Sequence, residues 1–193
     1  MPIKDWNGTT ASEIKTLQDW DGTAAHQIGK VYDYDGTASH LIYSAEEYLV
    51  QSGKVQTLAG GFTLQKQQYA SGLTYPSGYM LYQNQNSGSV SRVDSTKKID
   101  WSKYTTLKIK LGASDCQYAK VWFMIGQNKE IPTWYWPGDD SNYVSFAIQY
   151  VAPVWSAGTV LSFDISNITN TGIFMMGMTS NVGDLYISDI WVE

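Results

Sequence analysis

The sequence predicts an all-β protein in three parts. Tandem β-hairpin repeats occupy residues 1–44, a junction 45–54, and an antiparallel β-sandwich 55–193, with a jelly roll favoured over an immunoglobulin-like arrangement. Three observations carry this expectation. One 14-residue phrase occurs three times at the N-terminus, stretches of alternating apolar and polar residues fill the remainder, and clusters of Gly, Pro, Asn and Asp separate them.

The repeat comes first in the chain. Asp5-Trp6-Asn7-Gly8-Thr9, Asp19-Trp20-Asp21-Gly22-Thr23 and Asp33-Tyr34-Asp35-Gly36-Thr37 stand in strict register. Ile3, Leu17 and Val31 each precede the aromatic by three positions, and Ile14, Ile28 and Ile42 each follow it by eight. Asn-Gly or Asp-Gly between strand formers is a hairpin signal, because both central residues of a type I′ turn take positive φ. Each copy therefore reads as strand, two-residue turn, strand, for example Lys30–Tyr34, Asp35-Gly36 and Thr37–Tyr43. A hairpin of 14 residues cannot bury enough to stand alone, so the three must stack on each other, on the sandwich or on other copies.

These phrases resemble structural and receptor-binding proteins of tailed phages and prophages of Gram-positive bacteria. There, runs like Gly29–Thr37 followed by His40–Tyr43 often precede a C-terminal β-domain. The resemblance covers about the first 44 residues and implies attachment to a particle, other virion proteins as partners and a trimeric assembly. It brings no catalytic residues.

Across the junction, Ser44–Val50 carries Glu46 and Glu47 where the first turn of a short helix would want acids. Strand patterns then dominate. Leu107, Ile109 and Leu111 alternate with Thr106, Lys108 and Lys110. Val144, Phe146, Ile148 and Tyr150 alternate with Ser145, Ala147 and Gln149, and Leu161, Phe163 and Ile165 with Ser162 and Asp164. Ile173–Met178 is apolar without alternation, which predicts a strand buried on both faces. Turns are expected at Ser71-Gly72, Pro76-Ser77-Gly78, Ser87-Gly88, Pro137–Asp140 and Asn170–Gly172. The closing stretch Gly183–Glu193, with Leu161–Ile168 and Ile173–Met178 before it, resembles the last strands of carbohydrate-binding-module jelly rolls. That likeness implies a glycan ligand, and for Asp189 it implies a role in holding structural calcium.

Composition bounds the partners. Charged residues make up 16% of the chain and the net charge is −5, a balance unsuited to the phosphate backbone of nucleic acid. Met1–Asp5 has no apolar h-region and no apolar run is long enough to span a membrane. The expectation is synthesis in a host bacterial cytoplasm without a signal peptide, and residence in a virion. Cys116 is the single cysteine, so no intramolecular disulfide forms. No cofactor is expected. His26 and His40 occupy one slot of the repeat, where Ser12 stands in the first copy, and read as structural.

A ligand site is expected around the aromatics of the middle third. Alternation puts Ala119, Val121, Phe123 and Ile125 toward the core and Trp122 on the outer sheet face, where an indole is costly unless covered. Trp134 and Trp136 lie in an aromatic loop that ends in Asp139 and Asp140, and Tyr143 follows. Flat rings stack on the C–H faces of sugars while amides and carboxylates take the hydroxyls. Trp122, Trp134, Trp136 and Tyr143, with Asn128, Asp139, Asn142 and Gln149, are the candidate ligand-binding residues. A glycosidase needs two carboxylates held across a cleft. Glu130, Asp139 and Asp140 crowd one loop instead, and no catalytic residue is assigned. The expected function is a tail-associated protein anchored by the repeat and binding a host-surface glycan through the sandwich. The alternative is a decoration or connector protein without a ligand.

Overall fold

Antiparallel hairpins make up the described part of the repeat in the computed structural model. The structure describes residues 4–6, 11–13, 18–20, 25–27, 30–34, 39–44, 46–66, 71–84, 90–114, 120–132, 143–151, 155–179 and 183–193. They fall into two units, 1–46 together with Glu193, and 47–192.

In the first unit β1 (Lys4–Trp6) pairs β2 (Ala11–Glu13), β3 (Gln18–Trp20) pairs β4 (Ala25–Gln27), and β5 (Lys30–Tyr34) pairs β6 (Ser39–Ser44). The 14-residue spacing fixes pairing as well as position: Asp5 opposes Ser12, Asp19 opposes His26 and Asp33 opposes His40. The closing pairs are Trp6–Ala11, Trp20–Ala25 and Tyr34–Ser39. The expected turns at Asn7-Gly8, Asp21-Gly22 and Asp35-Gly36 lie outside the described residues.

The second unit is a β-sandwich. Its strands are β7 (Glu47–Gln51), β8 (Lys54–Val55), β9 (Phe62–Lys66), β10 (Ser71–Thr74), β11 (Met80–Asn84), β12 (Val90–Ser95), β13 (Ile99–Asp100), β14 (Thr106–Ser114), β15 (Lys120–Gly126), β16 (Val144–Val151), β17 (Val160–Asp164), β18 (Thr171–Gly172), β19 (Phe174–Thr179) and β20 (Gly183–Val192). One sheet runs β10-β11-β20-β14-β17, with β7 paired to β20 and β8 to β7. The facing sheet runs β16-β15-β19-β12-β9, and every pairing is antiparallel. The all-β, antiparallel expectation holds.

Alternation explains the core. Leu107, Ile109 and Leu111 of β14 are buried against Val121, Phe123 and Ile125 of β15 and Phe174, Met176 and Met178 of β19. Met175 is buried as well, so β19 is covered on both faces, as its unbroken apolar run predicts. The Tyr82 hydroxyl of β11 lies 2.6 Å from the Ser91 carbonyl of β12, a buried hydrogen bond from one sheet to the other.

Two expectations are corrected. The short helix over Ser44–Val50 is absent: Glu47–Gln51 is a strand on the edge of β20, with Leu49 and Val50 fully buried. The register shifts between Ile190–Val50 and Trp191–Tyr48, skipping Leu49. The two units divide between Glu46 and Glu47, inside the expected 45–54 junction. Ser71-Gly72 begins β10, and Thr171-Gly172 forms β18 against β13, so neither is a free turn. Ladder hydrogen bonds outweigh local turn preference there.

Candidate functional site

The outer face of the five-stranded sheet is where the sequence places Trp122. Cross-strand pairing builds a row across it: Gln149 of β16, Trp122 of β15, Gly177 of β19, Arg92 of β12 and Gln65 of β9. Two residues along each strand, the next row is Ala147, Met124, Met175, Asp94 and Thr63. Side chains two apart share a face, so both rows form one surface. Gly177 contributes no side chain between Trp122 and Arg92, and it is buried.

This face is covered. Met124 and Met175 are 0% exposed and Arg92 2%. Arg92 donates from Nε and Nη2 to the two Asp94 carboxylate oxygens, at 2.6 and 2.8 Å. Its Nη1 donates to the Pro132 carbonyl at 3.2 Å, so the segment leaving β15 crosses the sheet at Arg92. Burial pushes the Asp94 carboxyl up, against the pull of the adjacent guanidinium. Trp122 is half-buried, and its indole Nε1–H is buried without a hydrogen-bond acceptor among the described residues. Such a group costs about 1–3 kcal/mol unless something meets it.

The other sequence-predicted residues fall in different places. Gln149 sits opposite Trp122 in the first row. Asn128 and Tyr143 lie beyond the end of the same two strands, where the Gln127 N–H donates to the Tyr143 carbonyl at 2.9 Å. Four residues separate Trp122 from the end of β15, about 13 Å at strand rise. Asn128 is exposed and its Oδ1 accepts from Lys98 Nζ at 2.9 Å. The Lys129 ammonium stands 4.7 Å from the centre of the Tyr143 ring. Trp134, Trp136, Asp139 and Asn142 lie outside the described residues, as does Cys116. Arg92, Asp94 and Gly177 were missed by the sequence reading. The signal was present in Ser91-Arg92-Val93-Asp94-Ser95, where alternation sets both charges on one face and Val93 on the other.

Asp189, the calcium candidate, has other partners. Its Oδ1 accepts the Ser52 N–H at 2.8 Å and its Oδ2 the Ser188 hydroxyl at 2.9 Å, which pins the β7–β8 turn to β20. Among the described residues no group of three or more His, Cys, Asp or Glu is placed to hold a metal ion, and no helix is long and apolar enough to cross a membrane. The outer face of the seven-stranded sheet also carries aromatics, paired with one another: Tyr48 with Trp191 at 6.1 Å, and Tyr79 with Tyr186 at 5.9 Å.

No family model matches the chain, and no curated protein matches it in sequence. Solved structures do match in fold. The family 11 carbohydrate-binding module of the cellulosomal cellulase Lic26A-Cel5E of Clostridium thermocellum aligns with TM-score 0.50 and 9% identity, covering 77% of this chain and 94% of that one. The enzymatically active domain of tailspike protein 4 from bacteriophage CBA120 aligns with TM-score 0.50 and 13% identity, over 76% of this chain. This chain spans about a fifth of the tailspike's length, 21%. The sandwich is thus of the jelly-roll type found in carbohydrate-binding modules.

Proposed function

We propose that this chain is a non-enzymatic attachment protein of a phage or prophage tail, its repeats anchoring it to the particle and its sandwich binding a host-surface glycan. The observation that carries the glycan reading is the Trp122 Nε1–H. A buried donor without an acceptor among the described residues, on an aromatic ring of the outer sheet face, suits a ligand that brings an oxygen acceptor and an apolar C–H face together, and a pyranose does both. Gln149 and Gln65 end the same row and supply amides for hydroxyls. The fold shared with a carbohydrate-binding module and a tailspike supports the reading.

The non-enzymatic part rests on carboxylates. Glycoside hydrolysis takes a pair of them across a cleft. In the two rows of this face the single carboxylate is Asp94, and Arg92 occupies both its oxygens.

A virion location after cytoplasmic synthesis, and homo-oligomerisation with a trimer favoured, complete the proposal. Three paired hairpins of this size need partners to bury their apolar anchors, and the threefold number rests on the resemblance to phage attachment proteins. Light scattering of the full chain tests it: a monomer at micromolar concentration overturns association, and a dimer overturns the threefold number.

The cover over Met124, Met175 and Arg92 favours a second reading, a decoration or connector protein without a ligand. An array of bacterial cell-wall polysaccharides, probed with the folded full chain, separates the two. Saturable binding supports the attachment reading, and silence leaves the structural one.

A further inference from the structure

A cleft of about 350 Å³ opens at the other side of the sandwich, between the β7–β8 turn and the β10–β11 turn, lined by Ser52, Gly53, Lys54, Tyr75, Pro76 and Gly78 among others. That volume lies at the lower end of the range used by small-ligand sites. We propose that this cleft is a second binding site, independent of the sheet face, for a saccharide unit carrying one anionic substituent.

Three features of the cleft match that ligand. The first is a stacking surface. Tyr75 is 48% exposed, an aromatic side chain left to solvent beside Pro76. An exposed phenol ring next to a proline offers the flat apolar surface that the C–H face of a sugar covers.

The second is a free charge. The Lys54 ammonium makes no ion pair or hydrogen bond among the described residues, and its carbonyl accepts from the Gln56 amide at 2.9 Å. The nearby acid, Asp189, does not line the cleft, and both its oxygens are taken, by the Ser52 N–H and the Ser188 hydroxyl. An anion near Lys54 therefore meets a cation that is not already neutralised.

The third is rigidity. Ser52 and Gly53 hold φ of 48° and 74°, so the turn between Gln51 and Lys54 has two left-handed central residues, as a type I′ hairpin requires. The Gly53 N–H donates to the Ser188 carbonyl at 2.7 Å, and a Cβ on Gly53 would run into the Tyr79 backbone. On the opposite wall, Gly78 has φ of 81° and the Tyr79 N–H donates to the Pro76 carbonyl at 3.0 Å. Both walls are preformed, so little ordering cost falls on binding.

The test is NMR titration of the ¹⁵N-labelled full chain with glucose, glucose 6-phosphate and inorganic phosphate. The expected result is saturable shifts at the amides of Gly53, Lys54, Tyr75 and Gly78, with glucose 6-phosphate binding about threefold more tightly than glucose, the weight of one exposed charge pair. Lys54→Gln erases the difference between the two sugars, added salt narrows it by screening, and Tyr75→Ala weakens both. Equal affinity for both sugars, a phosphate response as strong as that of the phosphosugar, or no shift at these amides overturns the proposal. Shifts at Trp122 and Gly177 alone would also overturn it while supporting the sheet-face site. Shifts at the cleft with a silent polysaccharide array would support it while removing the sheet-face reading.

Discussion

Arg92 and Asp94, two positions apart on β12, form a bidentate ion pair on the covered face of the five-stranded sheet, with Nε to Oδ1 at 2.6 Å and Nη2 to Oδ2 at 2.8 Å. The remaining Nη1 reaches Pro132, 40 residues along the chain, so one guanidinium ties a strand to the segment that covers it. The pair is a structural clamp on the covered face.

Breaking the clamp from one side should be costly. Asp94→Ala removes the carboxylate that receives two of the buried Arg92 N–H groups, and we expect a loss of about 3–5 kcal/mol in denaturant unfolding. Replacing both residues with apolar ones of similar volume should recover most of that loss. A single Asp94→Ala change costing under about 1 kcal/mol would show that the pair is solvated and not buried.

The sandwich should fold alone only if β7 is kept. Residues 46–193 retain the fully buried Leu49 and Val50 and the Tyr104 hydroxyl bond to Glu47 Oε2 at 3.0 Å. A chain beginning at Val55 loses all three, together with an edge strand of β20. Each buried aliphatic side chain contributes about 1.5–3 kcal/mol, so the shorter chain should be molten or far less stable by circular dichroism and thermal melting. Equal melting temperatures would place β7 outside the cooperative unit.

The legibility of the fold follows the same line. Leu107, Ile109 and Leu111 announce β14 by alternation, because a half-buried strand writes its two environments directly into the sequence. Phe174–Met178 announces a doubly covered strand by the lack of alternation. Glu47–Gln51 was not legible: acids ahead of an apolar run look like a helix start, and only pairing with β20, some 140 residues later, overrides that preference. Of the candidate site, alternation placed Trp122 on the outer face and Gln149 opposite it. The cover over that face was not legible, since it shows in a contact between Arg92 and Pro132 that no local pattern encodes. The aromatic loop, with Trp134 and Trp136, lies outside the described residues.

Tyr82→Phe removes the sheet-to-sheet hydrogen bond and leaves the Ser91 carbonyl, already buried, without that donor. The expected cost is about 1–3 kcal/mol, with no change in the secondary structure measured by circular dichroism. A neutral result would mean that Ser91 finds another donor.

Alkaline pH should destabilise the sandwich. Burial, and then the neighbouring Glu47 charge, push the Tyr104 phenol well above its usual value near 10. A proton held more tightly in the folded state gives stability that is complete below the unfolded-state value and is lost as pH rises from there toward the folded one. Unfolding curves should therefore weaken above about pH 10, and Tyr104→Phe should flatten that decline. A slope unchanged in the variant would assign it to other tyrosines.

Trp122→Phe separates a ligand-binding donor from a packing residue, measured as polysaccharide affinity and unfolding free energy of the full chain side by side. The substitution keeps an aromatic ring and deletes the buried Nε1–H that has no acceptor among the described residues. If that donor is there for a glycan, affinity for the polysaccharide found on the array should fall about tenfold, while stability changes by less than about 1 kcal/mol, since no protein hydrogen bond is lost. Unchanged affinity with a clear loss of stability would contradict the account and make Trp122 a packing residue under its cover.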